Sequence, residues 1–98
     1  MSARGQIDLV SPDLIEGWLH LPAATAQLDV YVGTACVGTC LADRPRADLL
    51  AAGYGACAFS FLVPLATEIG APADVRLRLA GTPLWLLSGE GTRSEGFG

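Results

Sequence analysis

Asp74-Val75-Arg76-Leu77-Arg78-Leu79-Ala80 alternates apolar and charged residues without a break. Successive side chains of an extended chain point to opposite faces, so this is the pattern of a strand with one buried face, and Val75, Leu77 and Leu79 should face the core. Leu28-Asp29-Val30-Tyr31-Val32 repeats it, with Leu28, Val30 and Val32 inward and Tyr31 outward. Gly33-Thr34-Ala35 then reads as a turn into a second strand, Cys36 to Ala42, which makes a hairpin. Ala56 to Val63 is a further strand with Phe59 and Phe61 on one face, ended by Pro64, which has no N–H for a ladder. Leu84 to Leu87, entered through Gly81-Thr82-Pro83, should pair with the Asp74 to Ala80 strand. Gln6 to Val10 and Leu14 to His20 flank the turn residues Ser11-Pro12-Asp13. Short strands at regular intervals predict an all-β fold, an antiparallel β-sandwich of about seven short strands. One helical connector is expected at Asp48 to Gly53, with Asp48 as its cap and Gly53 ending it in the left-handed conformation.

With 98 residues the chain is a single domain. Residues 6–88 should hold the sandwich, 1–5 an N-terminal extension, and 89–98, with Phe97 as their one large apolar residue, a flexible tail. The hydrophobic share of 51% against 16% charged excludes a disordered chain. All six cations are Arg, and the formal net charge is −4, which argues against nucleic-acid binding through a basic face. The absence of Lys and Asn fits GC-rich coding. No run approaches the ~20 apolar residues of a membrane helix, and the N-terminus lacks the apolar core of a secretory signal. A cytoplasmic location without membrane insertion is the default expectation, and the Met1 start reads as a free-standing subunit.

Catalytic hardware is not visible. The single histidine, His20, has no nucleophile motif beside it. Cys36 and Cys40 would lie roughly 13 Å apart along a strand, too far for a disulfide or a shared zinc. With Cys57 they make an odd number, so reduced, buried thiols are expected. Asp8, Asp13, Asp29, Asp43 and Asp74 are scattered over turns and strand exteriors, as solvated residues are. The reading is a protein that is not an enzyme, with no cofactor and no metal.

The densest polar segment is Asp43-Arg44-Pro45-Arg46-Ala47-Asp48. Arginine forks beside carboxylates suit recognition of carboxylate or polyol ligands, and equally an internal Arg46–Asp48 bridge that fixes a loop crossing. Arg44, Arg46 and Asp48 are candidate ligand-binding residues, with Tyr54, between two glycines, and the outward-facing Tyr31. Trp85 is a further candidate because an indole suits the apolar face of a sugar, whereas Trp18 is expected in the core.

Gly17-Trp18, the segment Ala42-Asp43-Arg44-Pro45-Arg46-Ala47-Asp48-Leu49-Leu50-Ala51-Ala52-Gly53-Tyr54-Gly55, the phenylalanine strand and the final hairpin follow one another in an order that resembles a known family. It is a small β-sandwich domain attached to polysaccharide-related glycosyltransferases and sulfotransferases of GC-rich bacteria. Trp18-Leu19-His20-Leu21-Pro22 stands where that family has Trp-Ala-Trp-Asp-Pro, and Arg46-Ala47-Asp48 where it has Arg-Pro-Asp. The resemblance implies a noncatalytic accessory module with a carbohydrate-linked recognition role, directed at a surface polysaccharide or the enzyme that makes it. The alternative is a structural or assembly subunit that docks on a larger protein complex through a sheet edge or its tail. The expected partners are therefore a polysaccharide or a larger protein assembly, with a homo-oligomer as a further option.

Overall fold

A computed structural model of the chain describes residues 4–21, 24–88 and 91–94. The strands are β1 (Arg4–Val10), β2 (Leu14–His20), β3 (Ala26–Val32), β4 (Ala35–Ala42), β5 (Ala58–Leu62), β6 (Val75–Leu79), β7 (Leu84–Leu87) and β8 (Gly91–Ser94). A short helix, α1 (Ala47–Ala51), joins β4 to β5, and a single 3-10 turn at Pro72–Asp74 leads into β6. The strands form two antiparallel sheets, β1-β2-β5 and β4-β3-β6-β7-β8. The all-β architecture is as the alternation predicted.

Apolar side chains from the inner faces of both sheets make one core. The three-stranded sheet contributes Ile7, Ile15, Leu19, Phe59 and Phe61, and the five-stranded sheet Leu28, Val30, Val75, Leu77, Leu79 and Leu86. Phe61 lies against Gly38 of the facing sheet, where a Cβ would come within 2.8 Å of the ring, so an absent side chain on β4 makes room for a large one on β5. Among the described residues the core encloses no polar or charged side chain. At the sides, β4 approaches β5, while β1 runs beside β7 and makes a parallel bridge from Ile7 to Ser88, just past the end of β7.

The turns follow their residues. Ser11 Oγ accepts from the Leu14 N–H at 3.0 Å, which closes the β1–β2 turn. Thr82 Oγ1 donates to the Leu79 carbonyl at 2.8 Å in the β6–β7 hairpin, where Gly81 has φ of 77°.

Four expectations need correction. The helix begins at Ala47 and Arg46 is its N-cap residue, without a side-chain cap; Asp48 sits in the first turn and its carboxylate turns back to Arg46. The segment assigned to a flexible tail includes Gly91–Ser94, which pairs with β7 as an eighth strand; residues 89–90 and 95–98 lie outside the described residues. Trp18 is not in the core, because Gly17 and Trp18 point to opposite faces and Gly17 takes the inner one. The three thiols are not all buried either. Tyr31 pairs with Cys36 and Val30 with Gly38, so Val37 is an extra residue that bulges β4, and the change of phase leaves Cys36 exposed while Cys40 packs against the core.

The thiols should therefore differ in reactivity. Burial, with a contribution from Asp43, pushes the Cys40 thiol up to about 11, and burial raises that of Cys57 as well. Since the thiolate is the nucleophile, Cys36 is expected to alkylate first at pH 8 in the folded protein, with Cys40 and Cys57 reacting only on unfolding. Mass spectrometry of a labelling time course reads this directly, and equal rates at all three sites would contradict the burial described.

Candidate functional site

The connector between the sheets forms a partial third layer over the outer face of β1-β2-β5. Arg44 and Ala58 exchange backbone hydrogen bonds of 2.9 Å in both directions, which fixes where the connector lands. The end of α1 is then set by three features. Gly53, at φ of 85°, takes the left-handed conformation expected of it, the Gly53 N–H donates to the Leu50 carbonyl at 3.1 Å, and the Tyr54 N–H donates to the Leu49 carbonyl at 3.0 Å. This double closure brings Tyr54 back onto Leu49, and both join a small cluster with Cys57, Ala58 and Trp18.

Tyr54 stacks on Trp18 with ring centroids 5.2 Å apart and lies 5.0 Å from the His20 ring. His20 Nδ1 donates to the Tyr54 carbonyl at 3.1 Å, so that nitrogen carries the ring proton. On the other side of the connector, Arg46 grips Asp48 through two bonds of 2.9 and 2.7 Å, and its remaining arm reaches Asp8 of β1 at 2.6 Å. These bonds hold the exposed Asp48 carboxyl below the usual carboxylate range and keep Arg46 charged. Of the two roles open to Arg46 and Asp48, the structure supplies the clamp on the loop crossing. Exposed pairs of this kind add little stability, and what the clamp contributes is the position of the connector.

Beside the clamp is a depression of about 420 Å³ lined by Glu16, Gly17, Arg44, Pro45, Arg46, Ala58, Phe59 and Ser60. Glu16 and Ser60 face each other across β2 and β5. The exposed Arg44 side chain makes no ion pair or side-chain hydrogen bond among the described residues. Sequence reasoning did not find Glu16 and Ser60, because nothing local marks two residues 44 positions apart as cross-strand partners.

The six candidate residues thus divide between two faces. Arg44, Arg46, Asp48 and Tyr54 lie over the three-stranded sheet. Tyr31 and Trp85 lie on the outer face of the five-stranded sheet, their rings 5.1 Å apart edge to face. Trp85 is 8% exposed and is covered by two arginines from the outward half of the β6 alternation: Arg76, 4.6 Å from the ring centroid, and Arg78 at 5.6 Å. An open indole platform for stacking on a sugar is therefore not what Trp85 presents.

Among the described residues no group of three or more His, Cys, Asp or Glu side chains is placed to hold a metal ion, and no helix is long and apolar enough to cross a membrane. Comparison with protein-family models, with curated proteins and with solved structures finds no match for this chain. Trp18, Leu49 and Tyr54, from β2 and from the connector, pack together with Cys57 and Ala58.

Proposed function

We propose that the domain is a noncatalytic recognition module with a carbohydrate-linked role, and that its contact surface is the connector-covered face of the three-stranded sheet. The observation that carries this reading is the depression in which Arg44, without a protein partner among the described residues, stands with Glu16 and Ser60. A guanidinium supplies donors, a carboxylate supplies acceptors and a hydroxyl supplies either, which is the mixed equipment that a hydroxyl-rich ligand needs. The Arg46 clamp holds the loop in place beforehand, so little ordering would be left for the ligand to impose. The resemblance to polysaccharide-associated domains supports the same assignment.

Calorimetric titration of the full chain with acidic and neutral polysaccharides tests it. Binding is expected in at least one series, and Arg44→Ala is expected to weaken it by about tenfold, the loss of roughly 1.4 kcal/mol, with thermal unfolding unchanged. Absence of binding throughout, or binding indifferent to Arg44→Ala, would sink this reading. The alternative of an assembly subunit draws on Leu62 and Leu65, 78% and 105% exposed. It is the better account if no sugar binds and a Leu62→Ser/Leu65→Ser double variant abolishes self-association that the parent shows in sedimentation.

A further inference from the structure

The outer face of the five-stranded sheet gathers two arginines over two aromatic rings. Arg76 and Arg78 are two residues apart on β6, the central strand, so both project from the same face, and both lie on Trp85. Arg78 also lies over the Tyr31 ring at 5.5 Å. Each guanidinium carries five N–H donors. Arg76 uses one on the Gly33 carbonyl at 3.1 Å, and Arg78 makes a long 3.4 Å contact with Asp29. Arg78 Nε is buried without a hydrogen-bond partner among the described residues. Two like charges side by side, one with an unsatisfied buried N–H, cost stability. Asp29 offsets one of the two, and the pair of rings keeps both guanidinium groups in place. The patch is cationic in a chain whose formal net charge is −4.

We propose that this face is a second binding surface, which takes a carboxylate-bearing sugar with its carboxylate on Arg76 and Arg78 and a hydroxyl donating to Asp29. The choice among anionic ligands follows from the neighbours. Asp29 is an acceptor beside the two cations; it repels a uniformly anionic chain but receives a hydroxyl of a ligand that bears both groups. β3, β6 and β7 all have neighbours on both sides, so no free backbone edge exists here for an acidic peptide to extend. A nucleic-acid base would need an open aromatic face to stack on, and the Trp85 ring is covered. Guanidinium groups already stacked on rings lose little rotamer freedom on binding, so weak individual contacts add usefully. This surface lies on the opposite side of the sandwich from the depression around Arg44, and the proposal does not depend on that site.

The chain has two tryptophans, one on each outer face, which makes the test direct. In ¹⁵N-labelled full-length protein, the indole N–H signals of Trp85 and Trp18 are assigned with a Trp18→Phe variant, and the Nε–H signals of Arg76 and Arg78 are followed with them. Trigalacturonate is expected to shift the Trp85, Arg76 and Arg78 signals saturably, more weakly at high salt. Arg76→Gln and Arg78→Gln, each with unchanged amide dispersion, are expected to weaken the interaction by about tenfold, while Arg44→Ala leaves it intact. The proposal is overturned if these signals do not move, if maltotriose or acetate moves them as far, or if hexaglutamate does so and assigns the face to acidic peptides. Shifts confined to Trp18 and lost in Arg44→Ala would support the opposite face and overturn this one.

Discussion

Phe59→Ala should lower stability by about 3–5 kcal/mol, the usual cost of emptying a buried phenylalanine site. Phe59 is 2% exposed and belongs to the middle of the core, between Gly17 of β2 and the facing sheet. One feature sets the value at the upper end. The site is walled by strands of both sheets, which cannot collapse into the space without breaking their ladders. The chain is short, and domains of this size have only about 5–15 kcal/mol in total. At about 4–8 °C per kcal/mol, the midpoint of thermal unfolding should fall by roughly 15 °C or more. A fall of less than about 5 °C would show that Phe59 does not occupy this core.

The second large effect is expected at a position with no side chain. A Cβ on Gly17 would overlap the carbonyl oxygen of Gln6 on β1 and come within 2.8 Å of the Phe59 ring. The oxygen is backbone in a paired strand, so relief requires β1 to move as a whole. Overpacking costs about 1–3 kcal/mol where side chains can adjust; here Gly17→Ala should lie at or above the top of that range. Displacing β1 also carries Asp8 away from Arg46, so the variant should loosen the connector and unstack Tyr54 from Trp18, seen as a change in tryptophan fluorescence below the main transition. Gly70→Ala serves as the control. A Cβ there meets only Asp74 Oδ2 at 3.5 Å, an ordinary contact, and stability should change by no more than about 0.5 kcal/mol. Equal effects at the two glycines would contradict the β1–β2 packing.

The Gly17 substitution bears on the connector as well as on folding. Gly17 keeps β1 close, β1 carries Asp8, Asp8 and Asp48 hold Arg46, and Arg46 positions the connector whose first residues include Arg44. The segments with the most distinctive sequence are therefore spent on fixing a loop over a sheet, and the exposed Arg44 side chain takes no part in that clamp.

Some of the site was legible in advance and some was read with the wrong phase. In Leu14 to His20, Ile15 and Leu19 share one face while Glu16 and Trp18 share the other, so the alternation already placed Trp18 with an acid. Its size argued for the core, and the missing information was that α1 and Tyr54 would cover the outer face there. Counting in twos puts Cys36 and Cys40, four positions apart, on one face of a regular strand, and a single extra residue, Val37, puts them in different surroundings. Arg76 and Arg78 were read correctly as outward, but their contact with Trp85 depends on which strand lies next to β6.

Alternation, turn residues and Pro64 were enough to establish two-faced strands, their approximate limits and an all-β class, because these depend on neighbours within a few positions. Tertiary structure decided the rest: which strands share a sheet, which outer face the connector covers, and the division of the candidate residues between two opposite surfaces. The physical reason is that a period of two distinguishes inside from outside but carries no label for the partner strand. Contacts such as Arg46 with Asp8, or Arg78 with Asp29, join residues 38 and 49 positions apart and arise only when segments distant in sequence are brought side by side by the fold.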